Sequence, residues 1–189
     1  RDGSKPKMRV AAASEAGSRP GIFYANTYDM KSRPKWAMEA LSLHEGNPGH
    51  HFQISIQQEL TGLPRFRRFE RNVAYVEGWA LYAESLGREL GMFTDPMQWY
   101  GRLSDEMLRA MRLVVDTGLH AKGWSRERAI RYMQDSSSLA DSDIEAEVER
   151  YIVWPGQALG YKIGDLRIRA MRRKAADALG GHFDVREFH

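Results

Sequence analysis

Apolar residues return along this chain at helical spacing, and turn residues break the rhythm at several points. After Pro34, which suits the first turn of a helix, Trp36, Met38, Ala40, Leu41 and Leu43 lead into His44. Phe52, Ile54, Ile56 and Leu60 carry the pattern on to Gly62 and Pro64, which close it. The pattern predicts one long, buried helix disturbed in its middle by Gly46, Pro48 and Gly49. Residues 72–91, rich in Ala, Leu, Tyr and Glu, predict a second helix ending near Gly91. Thr94 or Asp95 before Pro96 is an N-terminal cap signal for a third helix over 97–122. Leu103, Met107, Met111 and Val114 are assigned to its apolar face, and Gly123 to its end. Ser125 opens a fourth helix at 126–134, residues 143–153 form a fifth, and after the Pro155-Gly156 break a sixth runs over 157–179.

Residues 1–21 are polar, with Gly, Pro and Ser, and predict a loop-like lead-in or a short strand. The aromatic stretch 22–28 (IFYANTY) predicts at most one short edge strand. Such a strand either packs on the core or pairs with an extended peptide substrate. The fold class expected is therefore mostly α, in a single region over 1–189. Both ends read as cut, so the chain is expected to be a fragment of a longer one.

Composition narrows the function. The chain is 42% hydrophobic and 11% aromatic, enough for a packed core rather than a disordered segment. It has no cysteine, which excludes disulfides and thiolate metal sites. No apolar run reaches the length of a spanning helix. The net charge of +3 permits an acidic partner without requiring one. Arg167, Arg169, Arg172, Arg173 and Lys174 could form a nucleic-acid stripe, but no recognition motif accompanies them, and a nucleic-acid partner is not expected. Arg65, Arg67 and Arg68, interleaved with Phe66, suit either a substrate carboxylate or a solvated helix start.

The chemistry concentrates in His44-Glu45-Gly46-Asn47-Pro48-Gly49-His50-His51, where three of the six histidines fall within eight residues. In the H-E-x-x-H pattern two histidines one turn apart bind one zinc, and the Glu takes a proton from the metal-bound water. Here the pattern is stretched. His50 lies six positions after His44, a rotation of about 240° on an ideal helix. His51, at seven positions, returns to the same face but about 10 Å further along. A regular helix brings neither to His44. Pro48 disrupts the helix, Gly46 and Gly49 accept unusual dihedrals, and a local bulge would bring a second imidazole level. His50 is the favoured second ligand and His51 the alternative. A catalytic zinc site takes three protein ligands and leaves one position open. Glu77, on the helix at 72–91 and followed by the slender Gly78, supplies the third. Glu84, two turns on, is expected to orient a histidine.

These residues also carry a resemblance. The cluster at 44–51, Glu77-Gly78-Trp79-Ala80-Leu81-Tyr82-Ala83-Glu84, Asp116-Thr117-Gly118-Leu119-His120 and Trp154-Pro155-Gly156-Gln157-Ala158-Leu159-Gly160-Tyr161-Lys162-Ile163-Gly164 occur in that order. Together they resemble the bacterial family known as domain of unknown function 885, from about Gly21 to His189. The resemblance implies a bacterial protein, the C-terminal catalytic part of a longer chain, and kinship with zincin-type metallopeptidases. Those are similar in plan to the mostly helical angiotensin-converting enzyme, thimet oligopeptidase and carboxypeptidase Taq families. The resemblance further implies that Tyr161 stabilises the oxyanion of the tetrahedral intermediate. His120 is the alternative donor, with Asp116 four residues earlier placed to hold its tautomer.

The function expected is a zinc-dependent hydrolase, a metallopeptidase with a peptide or small amide substrate. His44, His50 and Glu77 hold Zn²⁺, Glu45 is the general base, and the remainder of the longer chain is a partner. The alternative is a non-catalytic binding protein on the same scaffold, with a structural metal or none. Periplasmic, secreted and cytoplasmic locations are all compatible with the sequence.

Overall fold

The computed structural model describes residues 8–11, 19–25 and 34–189. It is mostly helical. The strands β1 (Met8–Ala11) and β2 (Ile22–Ala25) pair antiparallel, with Met8 opposite Ala25 and Ala11 opposite Ile22. Part of the lead-in is therefore a strand, and β2 matches the front of the expected edge strand; residues 26–28 lie outside the described residues. A single 3₁₀ turn at Lys35–Ala37 then feeds α1 (Met38–Glu45).

The expected long helix is in fact two. α1 stops at Glu45 and α2 (His50–Glu59) starts afresh at His50. The intervening Gly46-Asn47-Pro48-Gly49 turn contains a cis Asn47–Pro48 bond. A side chain does not fit at Gly49: its Cβ would lie 1.9 Å from the His44 carbonyl oxygen. Pro48 has no N–H to continue α1, so a break replaces the expected bulge. The short helix α3 (Arg65–Phe69) follows, with Phe66 and most of its arginines exposed.

α4 (Val73–Leu86) is the central helix, buried on nearly every side. Asn72 caps it by accepting the Tyr75 N–H. α5 (Pro96–Ala121) begins with an Asp95–Gln98 capping box, and Ser125 caps α6 (Arg126–Ser136). α7 (Asp141–Val153) and α8 (Gln157–Leu179) complete the main body, before the short α9 (Val185–Phe188). One core joins Met111 and Val115 of α5 to Ala129 and Met133 of α6, Ile144, Val148 and Tyr151 of α7 and Ala158 of α8. A second joins Trp79, Tyr82 and Leu86 of α4 to Ile168 of α8. α4 and α8 meet backbone to backbone: a Cβ on Gly164 would stand 1.8 Å from the Ala74 carbonyl oxygen.

α5 departs from expectation. Leu103, Met107 and Val114 are 44%, 51% and 40% exposed, and only Met111 of the assigned face is buried. The face turned inward carries Arg102, Arg109, Arg112, Val115 and Asp116. The partners of these charges come from α5 itself, where Glu106 pairs with Arg102 and Asp105 with Arg109, and from other helices. Glu147 of α7 accepts from Arg112 at 2.6 Å, and Lys162 of α8 reaches Glu106 at 2.5 Å, beside Arg102.

Candidate metal centre

The break between α1 and α2 decides which histidine meets His44. Because α2 starts a new axis, His50 is on its first turn facing α4, whereas His51 points about 100° away around the helix. The His44 and His50 rings stand nearly perpendicular, centroids 4.7 Å apart. Glu77 joins them from α4: its Oε2 lies 3.7 Å from His44 Nε2 and 3.3 Å from His50 Nε2. One ligand atom from each of the three lies within 4.8 Å of the others. The turn is tied to α4 by Trp79, whose indole N–H donates to the Pro48 carbonyl at 2.7 Å.

These separations suit one small divalent cation. Bonds of about 2.0–2.1 Å in a tetrahedral site put ligand atoms about 3.3 Å apart. The donor set of two imidazoles and a carboxylate is that of a cation site with a position left open. Glu84 completes it, with Oε1 2.7 Å from His44 Nδ1. That bond places a proton on Nδ1 and leaves the Nε2 lone pair on the side of Glu77, where it can ligate a cation. Arg109 Nη2 lies 3.9 Å from the same Glu84 oxygen. Burial opposes a charge on His44, but its bonds to Glu77 and Glu84 outweigh that and raise it from 6.5 to about 9. Burial likewise penalises the Glu77 carboxylate, yet the two histidines hold it far below the usual carboxylate range.

Glu45 is the half-buried last residue of α1, directly after the His44 ligand position. Tyr161 is buried on α8 with its ring parallel to the His44 ring, centroids 6.3 Å apart. The Arg112 guanidinium covers the Tyr161 ring at 4.5 Å. His120 is not brought to this cluster. It is exposed at the end of α5, and its Nε2 is 2.9 Å from the Tyr151 carbonyl oxygen, to which it donates. The expected Asp116–His120 pair does not form either. The Asp116 oxygens accept the Gly156 N–H at 3.2 and 3.0 Å, because the α7–α8 corner leaves that N–H without a helical partner. Among the supposed nucleic-acid arginines, Arg169 is paired with Asp165 and Arg172 with Glu89.

Sequence reasoning missed Arg109, Arg112, Arg150 and Gln157, which surround Glu84 and Tyr161. Gln157 was legible only as part of a motif, and the arginines carry no local signal of burial.

A family model described as "Bacterial protein of unknown function (DUF885)" matches residues 1–189. The chain belongs to the DUF885 family. The solved structure of "the putative lipoprotein from Colwellia psychrerythraea" is similar to this DUF885 chain over 98% of its length, with 50% identity and a TM-score of 0.94. That of "a putative lipoprotein of unknown function from Shewanella oneidensis" covers 97% at 24% identity, with a TM-score of 0.77, and shows likeness of fold alone. The DUF885 chain spans 32% and 36% of those two chains. No curated protein matches it. None of the described helices is long and apolar enough to cross a membrane.

Proposed function

We propose that this DUF885 chain carries the metal centre of a zinc-dependent hydrolase, a zincin-like metallopeptidase acting on peptide or small amide substrates. The observation that carries this is the convergence of His44, His50 and Glu77 from three helices, with Glu84 on the far nitrogen of His44. Purely structural zinc sites are closed by four protein ligands; here three converge, next to a carboxylate in the sequence position of a general base. Bound zinc supplies Lewis-acid activation of the attacking water and of the scissile carbonyl.

The chain's own residues do the rest. His44, His50 and Glu77 hold the ion, and Glu84 fixes the His44 tautomer. Glu45 accepts the proton of the attacking water and returns it to the leaving amine. Tyr161 donates a hydrogen bond to the developing oxyanion.

The test is elemental analysis beside a peptide-library assay on wild type and E45Q. The expected result is about one zinc per chain in both, with turnover only in wild type. Normal cleavage by E45Q would remove Glu45 from the mechanism. A zinc-loaded wild type that cleaves nothing would favour the binding-protein alternative.

A further inference from the structure

The corner between α7 and α8 holds a closed triangle of hydrogen bonds that ends on Tyr161. Gly156 turns the chain with φ +80°, and Asp116 of α5 grips its N–H. Arg150, in the last turn of α7, and Gln157, in the first turn of α8, are thereby brought together. Arg150 Nη2 donates to Gln157 Oε1 at 3.0 Å and to Tyr161 Oη at 3.2 Å. Gln157 Nε2 donates to the same Oη at 3.3 Å.

The directions of these bonds are forced. A guanidinium has donors only, so the Gln157 amide must turn its oxygen to Arg150 and its nitrogen to Tyr161. Both lone pairs of the phenol oxygen are then occupied, and its proton has to point out of the triangle. Among the described residues nothing accepts that proton. The ring that carries it is 6% exposed and lies against the ring of His44. We infer that Arg150 and Gln157 are positioning residues that make Tyr161 a donor only, committing its proton to the substrate oxyanion. The identity of that acceptor rests on the metallopeptidase proposal; the bond directions do not.

Gln157→Glu is the decisive variant. A carboxylate at 157 still accepts from Arg150, but its second oxygen now accepts the Tyr161 proton and reverses the bond. With zinc and a cleaved peptide, Q157E should lose about a hundredfold in kcat with KM little changed, as should Y161F. The double variant should fall no further than Y161F alone, since the two act through one proton. A second readout needs no metal. In protein labelled with ¹³C at tyrosine Cζ, the Tyr161 resonance, identified by its loss in Y161F, should move downfield in Q157E as the phenol becomes an inward donor. Additive losses, or an unmoved resonance, would overturn the inference. A moved resonance in a protein that cleaves no peptide would uphold the bond directions and sink the metallopeptidase proposal instead. Should Q157E fail to fold, Gln157→Met removes the donor without adding an acceptor, and its kcat loss should likewise vanish in the Y161F background; a loss that persists there counts against the inference.

Discussion

His44 sits between two carboxylates, and that arrangement sets how the site responds to protons. The two carboxylates raise its imidazole from 6.5 to about 9, so a metal at the proposed site would have to displace a proton. Zinc affinity should therefore rise with pH, by about tenfold per pH unit between the ordinary histidine value and 9. Competition against a chelator at several pH values measures this, and a flat profile would mean that His44 does not ligate. Glu84 acts through His44 Nδ1, so E84Q should weaken zinc about 10–100-fold while leaving the stoichiometry reachable at high zinc. His51, outside the cluster, should tolerate alanine with no change in zinc affinity; a loss there would move the ligand from position 50 to 51.

At the scale of elements, two close approaches do most of the positioning. Gly49 lets the start of α2 fold back onto the end of α1, which turns His50 toward His44. Gly164 lets α8 touch α4, which brings Tyr161 beside the helix that carries Glu77 and Glu84. A methyl group at 164 would have to push backbone from backbone. G164A should therefore cost about 1–3 kcal/mol by overpacking, read as a shifted denaturation midpoint. An unshifted midpoint would show that the two helices are not in contact there. α5 makes the opposite point about apolar patterning. Its Leu103-Met107-Val114 stripe satisfies the helical period, yet the buried face is the one bearing three arginines. The stripe and the arginines recur with the same period; Arg112 finds its partner Glu147 on α7, and Glu106, the partner of Arg102 on α5 itself, is held by Lys162 of α8. Local pattern cannot weigh partners that are distant in the chain.

Across the whole molecule, the centre ties α1, α2 and α4 together, so its charge state is a stability statement. His44, raised to about 9, stabilises the metal-free fold fully below 6.5 and loses that contribution as pH rises through about 9. Glu77, depressed, contributes above 4.5 and loses it as pH falls. The two windows overlap between 4.5 and 6.5. Thermal denaturation of metal-free protein should thus give a higher Tm at pH 6 than at pH 9. Excess zinc should narrow or reverse that order, because the ion binds only the folded site and binds it better at high pH. Equal Tm values at both pH values without metal would dissociate His44 from the carboxylates.

Much of this protein was legible in its sequence because the deciding interactions are local. Helix bodies follow from apolar period, and starts from Asp95 and Ser125, whose side chains reach amides two or three residues away. The three candidate ligands and Glu84 were legible because so many imidazoles and carboxylates in broken helix have few other uses. What the sequence left open was which of His50 and His51 faces His44 and Glu77, where His120 lies, and which charges of α5 are buried. The tertiary structure decided these. The angle between α1 and α2 depends on Gly49 packing against backbone, Asp116 is claimed by an amide 40 residues away, and Arg150 and Gln157 meet only because the chain turns back at Gly156. Each is a contact between segments that no period along the chain encodes.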